Sequence, residues 1–169
     1  IPGRNWNEVK TQASSFLATK KNATRLQQAR MKYALGAASL ASRDPNKALD
    51  YFAEALVLLH GSDENLGSAS ITRSLDAYLR MPDVAQFLEN SAVSAAVEAR
   101  KHNPETVIPE MQMKTRPLNV KEAAALYRLH ELMFPDRKLP AKYDAFAVSY
   151  KNPSAGTAEQ APAEAEKKQ

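Results

Sequence analysis

Apolar side chains recur along most of this chain at the three- and four-residue spacing that places them on one face of an α-helix. The first such stripe consists of Trp6, Val9, Ala13, Phe16 and Leu17. Asn5 precedes this stripe and Glu8 follows three residues later, which is the order of a capping box. The pattern therefore predicts a first helix over residues 6–19, and no run with the two-residue period of a strand competes with it.

The same spacing predicts a second helix over about 23–42, a third over about 45–59 and a fourth over about 66–79. The third helix has the clearest start, because Asp44 can accept hydrogen bonds from its first free N–H groups and Pro45 suits the first helical position. Gly61 is a typical residue at which a helix stops.

Prolines divide the second half of the chain. Pro82 begins a fifth helical region that reaches about residue 101, with a break expected at Asn90. Pro104, Pro109 and Pro117 then indicate an irregular or short-helix connector.

Two further helices are predicted after the connector. The sixth begins at Asn119, with Glu122 completing a second capping box, and ends at Pro135. The seventh begins at Pro140 and reaches about Ser149.

These elements predict an all-α protein of about seven helices arranged as stacked helical hairpins. Residues 1–150 would form one helical-repeat domain, because a single hairpin cannot bury its apolar face without a neighbour. Residues 151–169 contain no Val, Ile, Leu, Met, Phe, Trp or Tyr. Such a segment cannot offset the entropy of ordering, so we expect a disordered tail.

Residues 29–62 resemble one tetratricopeptide repeat, a helix–turn–helix unit of roughly 34 residues. The positions that match, and that would pack the two helices together, are Leu35, Gly36, Ala48, Phe52 and Ala55. Lys32, Ser39 and His60 depart from the repeat pattern. An ordinary antiparallel helix pair with Ala at its crossing fits the segment equally well.

The sequence offers little for catalysis. With 169 residues the chain has no cysteine and three widely separated histidines, none of them in a metal-binding motif. No glycine-rich phosphate loop and no nucleophile elbow is present. His130 falls on the apolar stripe of the sixth helix, so we expect it at the edge of the core and not as a base. We expect no cofactor, no metal and no small-molecule substrate, and hence a protein that binds other proteins.

A cluster of basic residues before and within the second predicted helix suggests a second kind of binding site. On a helix, Lys21, Arg25 and Lys32 would lie within about 40° of one another and could follow phosphates. No aromatic residues interleave with them for base stacking. A solvated face or a docking site for an acidic protein surface is the favoured interpretation, with nucleic acid a minority one.

The net charge is +4, and the start at Ile1-Pro2 without a Met suggests either a mature protein after removal of a leader or a trimmed chain. No apolar run approaches the roughly 18 residues of a membrane-spanning helix. A mildly basic processed chain fits the mitochondrial matrix, and a bacterial periplasm fits nearly as well.

Taken whole, the chain resembles the small euglenozoan-specific subunit of mitochondrial F1-ATPase. The resemblance depends on the 18.6 kDa mass, the start IPGRNW, the segment KALDYFAEALVLL and the predicted set of helices. It implies a pentatricopeptide-like structural subunit on the matrix side of the inner membrane. That subunit would dock on the outside of the α subunit without binding nucleotide or touching the rotor. The alternatives are a stand-alone helical-repeat adaptor for a protein or peptide and, less favoured, a pentatricopeptide-like RNA-binding protein.

Overall fold

A computed structural model describes residues 5–108 and 116–150, and within these ranges all regular structure is helical. The helices are α1 (Trp6–Thr19), α2 (Arg25–Ala41), α3 (Pro45–Leu59), α4 (Glu64–Tyr78), α5 (Pro82–Leu88), α6 (Ser91–Arg100), α7 (Leu118–Met133) and α8 (Asp144–Val148). A 3-10 turn, Ala141–Tyr143, leads directly into α8. The predicted all-α class is confirmed. The predicted tail at 151–169 and residues 109–115 of the predicted connector lie outside the described residues.

The first two helices begin with different caps. The Asn5 side chain accepts a hydrogen bond from the backbone N–H of Glu8, as predicted. The Glu8 carboxylate instead accepts from the Gln12 side chain, 2.9 Å away. A complete capping box stands at α2, where the Thr24 hydroxyl accepts from the N–H of Gln27 and the Gln27 side chain accepts from the N–H of Thr24. This box was not predicted, because the sequence pattern placed the start of the helix near residue 23.

Helix α3 has the boundaries that its sequence predicts. The Asp44 carboxylate accepts from the N–H of Lys47 at 3.1 Å, and Pro45 is the first helical residue. The helix ends where the backbone turns left-handed, with φ of 46° at His60 and 80° at Gly61. Gly61 tolerates this conformation because it has no Cβ.

The break expected at Asn90 separates α5 from α6. The Asn90 side chain accepts from the N–H of Ala92 at 2.9 Å, which caps the start of α6. The predicted seventh helix is divided too, into the 3-10 turn and α8. The structure therefore describes eight α-helices where the sequence predicted about seven.

The predicted cap of the sixth helix is wrong. This helix is α7, and it begins at Leu118 without a side-chain cap. The side-chain amide of Asn119 instead donates to both oxygens of the Asp83 carboxylate of α5, at 2.9 and 3.1 Å. Glu122 accepts from the Tyr78 hydroxyl of α4 at 2.9 Å. Both side chains thus bind partners distant in sequence, which the local capping pattern could not reveal.

The helices pack as an array that turns back on itself. Helices α1 to α4 each pack against the next, α7 returns against α4, and α8 packs against both α6 and α7. The largest group of buried residues lies among α4, α5, α7 and the C-terminal segment: Ile71, Leu75, Tyr78, Met81, Val84, Val120, Ala123, Tyr127, Phe134, Tyr143, Phe146 and Ala147. This core holds α7 beside α4 and so positions the surfaces described below.

Candidate functional site

The residues that match the repeat pattern all face inward. Gly36, Ala48, Phe52 and Ala55 are buried, and Leu35 is 3% exposed. A Cβ added at Gly36 would lie 2.6 Å from the Phe52 ring, so α2 and α3 approach more closely than a larger residue permits. These side chains hold the hairpin together and leave no surface for a partner.

An apolar groove runs between α3 and α7, with α4 as its floor. Its volume is about 420 Å³, and its lining consists of Leu49, Asp50, Ala53, Leu56, Ser74, Tyr78, Glu122, Ala125, Leu126 and Leu129. We call this the α3–α7 groove. The groove forms because α3 and α7 each pack against α4 but leave a gap between each other.

The α3–α7 groove continues into exposed apolar side chains. On α7, Leu129 is 39% exposed, Leu132 64% and Met133 44%. On α3, Val57 is 77% exposed and lies one helical turn beyond Ala53. Contiguous exposed apolar surface is typical of interaction sites.

The charged side chains that line the α3–α7 groove are both acidic. Asp50 lies on the α3 wall and Glu122 on the α7 wall. The Tyr78 hydroxyl holds Glu122 in place, and burial together with this carboxylate raises the pKa of Tyr78 well above its usual value. The walls of the groove are therefore negatively charged although the chain as a whole is basic.

The structure places the three residues of the predicted basic stripe in different settings. Lys21 lies in the turn before α2, Arg25 is the first residue of α2, and both are exposed. Lys32 pairs with Glu54 of α3 and lies 5.4 Å from the centroid of the Tyr51 ring. Lys21 lies outside the helix, and Lys32 is paired with α3. The three cations therefore do not form one exposed stripe along a helix.

Cations gather elsewhere, around Asp76 on α4. The Asp76 carboxylate accepts from the Tyr143 hydroxyl at 2.9 Å, from Arg73 at 3.1 Å and from Lys142. Burial alone would raise the pKa of Asp76, but the hydrogen bonds from Lys142 and Tyr143 and the nearby charges outweigh it and lower the pKa. The hydrogen bond to Asp76 correspondingly raises the pKa of Lys142.

Arg73, Asp76 and Lys142 line a cleft between α4 and the segment 137–143. Its volume is about 460 Å³, and Tyr33, Asn65, Ser68, Ala69, Thr72, Arg137, Pro140 and Tyr143 complete the lining. We call it the cation cleft. Arg137 donates to the Asn65 side-chain oxygen at 2.9 Å and lies 5.9 Å from the centroid of the Phe134 ring. This cleft was not predicted from the sequence, because its cations lie in two segments more than 60 residues apart.

A buried histidine lies behind the cation cleft. His130 is 1% exposed, and its Nε2 lies 2.8 Å from the Ser68 hydroxyl. Its Nδ1 has no hydrogen-bond partner among the described residues. Because an unpaired buried N–H is costly, we infer that the proton is on Nε2 and that His130 donates to Ser68. Burial and the charge of Arg137 lower the pKa of His130, and its 1% exposure places it inside the core.

No three His, Asp or Glu side chains within 5–108 and 116–150 are arranged to hold a metal ion. None of the helices in these ranges is long and apolar enough to span a membrane. No family model, curated protein or solved structure matches this chain.

Proposed function

We propose that this chain is a non-catalytic structural subunit of the mitochondrial ATP synthase, docked on the outside of the F1 α subunit through the α3–α7 groove. The observation that carries the docking role is the exposed apolar surface of this groove. The identity of the partner and the matrix location come from the resemblance to the euglenozoan F1-ATPase subunit.

The chemistry of the groove supports a protein partner. Apolar surface gains roughly 25 cal/mol for each Å² removed from water, so covering Leu129, Leu132 and Val57 would be favourable. The acidic residues on the two walls lie beside this apolar surface, an arrangement found at protein interfaces with a polar rim. A matching partner helix would present apolar residues to the groove and basic residues to Asp50 and Glu122.

We propose that the occupant of the α3–α7 groove comes from a partner subunit. The 19 residues after Tyr150 contain no large apolar side chain. These residues offer backbone groups and charged side chains, but no large apolar side chain that could cover Leu132. A helix of a partner subunit would supply the apolar side chains that residues 151–169 lack.

The experiment is co-purification of the full chain with the α and β subunits, followed by native mass spectrometry. The variant Leu129→Lys/Leu132→Lys removes apolar surface from the α7 wall of the groove and adds positive charge to that wall. The matched control is Val107→Lys, because Val107 is 40% exposed but lines a different cleft, with Arg100 and Arg128.

We expect the groove variant to lose the α subunit while the control retains it, with both variants keeping the wild-type unfolding midpoint. Stoichiometric recovery of the groove variant with α would refute docking through this surface. Recovery of the wild-type protein only as a free monomer or homodimer would refute the proposed subunit role.

A stand-alone adaptor is the second candidate, because the α3–α7 groove could also take a single amphipathic helix. A fluorescent helical peptide with leucines on one face and lysines at the edges of that face distinguishes the adaptor from the ATP synthase subunit. Saturable binding of this peptide without any co-purified α subunit would favour the adaptor.

A further inference from the structure

We propose that a groove between α1, α2 and α4 binds an acidic peptide segment of a partner protein, with Arg73 and Arg80 each pairing with a different carboxylate. We call this the arginine groove. The described residues that line it are all different from those that line the α3–α7 groove. This inference therefore does not depend on the proposed docking function.

The arginine groove follows the direction of two parallel helices. Arg30 of α2 pairs with Asp63 before the start of α4, and Arg80 just beyond α4 reaches the last turn of α2, so both helices run the same way. The volume of the groove is about 240 Å³. Its lining includes Trp6 of α1, Tyr33, Ala37 and Leu40 of α2, and the two arginines.

The lining of the arginine groove is positively charged. No Asp or Glu among the residues that the structure describes lines this groove, whereas Arg73 and Arg80 do. Arg80 donates to the backbone carbonyl of Leu40 at 2.6 Å. The end of a helix carries only about half a negative charge, which is less than the full positive charge of the guanidinium group. Arg80 therefore keeps an excess of positive charge for a ligand.

Arg73 keeps an excess of positive charge as well. Its carboxylate partner is Asp76, which also binds Lys142, so one negative charge faces two positive ones. The Arg73 side chain is 52% exposed. Since a guanidinium group has five N–H donors, Arg73 can bind a ligand while it remains bound to Asp76.

The spacing of the two arginines determines the kind of anion that can use both. They are 80 − 73 = 7 residues apart, which is about two helical turns or roughly 10 Å along the axis of α4. A single phosphate or carboxylate is too small to join groups that far apart. Acidic residues three positions apart on an extended peptide are also about 10 Å apart, so one peptide segment can place a carboxylate at each arginine.

The rest of the lining favours a peptide over a single-stranded nucleic acid. Ala37, Leu40 and Ala41 of α2 are aliphatic and offer no flat ring for a base. The Tyr33 ring packs against Phe52, with centroids 5.6 Å apart, and so belongs to the α2–α3 hairpin. Binding of single strands without sequence preference depends on stacking of bases on aromatic faces. Aliphatic surface between two cations suits a segment with small apolar residues between its acidic ones.

The experiment is fluorescence anisotropy of the full chain with labelled probes at low ionic strength, where screening is weakest. The first probe is a peptide of about twelve residues made of Glu-Leu-Ala repeats. The second has Gln in place of every Glu, and the third is a single-stranded oligouridine of similar length. We expect saturable binding of the Glu peptide, about tenfold or more tighter than that of the Gln peptide and tighter than that of the oligouridine.

The first test variant is Arg80→Gln, which leaves Arg73 and Asp76 in place. Its matched control is Arg25→Gln, which removes one charge from an exposed position at the other end of α2. We expect the affinity for the Glu peptide to fall about tenfold in Arg80→Gln, because a charge-assisted hydrogen bond is lost, and to change less than about twofold in the control.

A second variant tests the groove without changing any charge, and it also serves if Arg80→Gln unfolds. Ala37→Leu places a larger side chain in the groove between the two arginines and should weaken binding of the Glu peptide. The matched control is Ala95→Leu, at an exposed position on α6, which should bind like the wild-type protein.

Four results would overturn the proposal. The first is that the Glu peptide does not bind the wild-type protein. The second is that Arg25→Gln loses as much affinity as Arg80→Gln, since binding would then follow net charge. The third is that Ala37→Leu binds as tightly as the wild-type protein, which would place the peptide on another surface. The fourth is that the oligouridine binds more tightly than the Glu peptide, which would assign the arginines to nucleic acid.

Discussion

The backbone of Gly36 on α2 lies directly against the ring of Phe52 on α3. A Cβ at position 36 would lie 2.6 Å from Cε1 and 2.7 Å from Cδ1 of that ring. Phe52 is fully buried and also contacts the Tyr33 ring, with centroids 5.6 Å apart, so the ring has little freedom to withdraw. The helix pair therefore depends on the absence of a side chain at one position.

Gly36→Ala should destabilise the protein. Alanine favours the helix by about 1 kcal/mol, but overpacking a buried contact costs typically 1–3 kcal/mol. We expect the overpacking to dominate, because the atoms that clash belong to the body of a buried ring. The measurement is the free energy of unfolding in urea.

A double-mutant cycle with Phe52→Leu provides the control for Gly36→Ala. Leucine removes the ring atoms that would meet the new methyl group, so Gly36→Ala should cost less in the Phe52→Leu background than alone. Additive effects of the two substitutions would contradict the proposed contact.

His130 should make the protein less stable as the pH falls below about 6.5, the usual pKa of histidine. Its pKa is lowered in the folded state, by burial first and then by Arg137, with Glu131 opposing. The unfolded chain therefore takes up the proton first, and stability decreases from about pH 6.5 down to the folded pKa, by at most about 1.4 kcal/mol per pH unit. Urea unfolding at a series of pH values measures this slope.

The matched variants for this slope are His130→Gln and His102→Gln. Replacing the buried His130 should remove the slope, while replacing the exposed His102 should leave it in place. An unchanged slope in His130→Gln would assign the pH dependence to another group.

Protonation of Asp76 should cause a second loss of stability, at a lower pH than the loss caused by His130. Its pKa is below the usual 3.8 because the hydrogen bonds from Lys142 and Tyr143 outweigh its burial. The stabilisation is present above about pH 3.8 and is lost as the pH falls through the folded pKa. Asp76→Asn should abolish this step while leaving the step of His130; if the acidic step persists in Asp76→Asn, another carboxylate is responsible.

Asp44→Ala should destabilise α3 by about 1 kcal/mol, because the carboxylate accepts from the N–H of Lys47 and faces the positive end of the helix. Asn46→Ala is the matched control, since Asn46 is exposed in the first turn and is not the cap. Thermal unfolding compares the two. Equal midpoints for both variants would contradict the capping role.

Local sequence patterns predicted several helix boundaries at which the cap partner is close in the chain, although the Thr24–Gln27 box was missed. Asp44, Asn90 and Gly61 are examples, because their roles depend on backbone groups within three residues or on their own backbone conformation. The pattern failed at Asn119, whose partner Asp83 is 36 residues away. A capping motif cannot report that a tertiary partner competes for the same side chain.

By itself, the sequence determined that the chain is helical, where most helices begin, and that Gly36, Ala48, Phe52 and Ala55 face one another. These features depend on spacing within one or two helices. Only the tertiary structure decided that α7 returns beside α4, which leaves the α3–α7 groove open. It also placed Lys142, from the other end of the chain, on the Asp76 carboxylate that Arg73 of α4 binds. The physical reason is that burial of the shared core fixes which faces meet, and no local pattern records that choice.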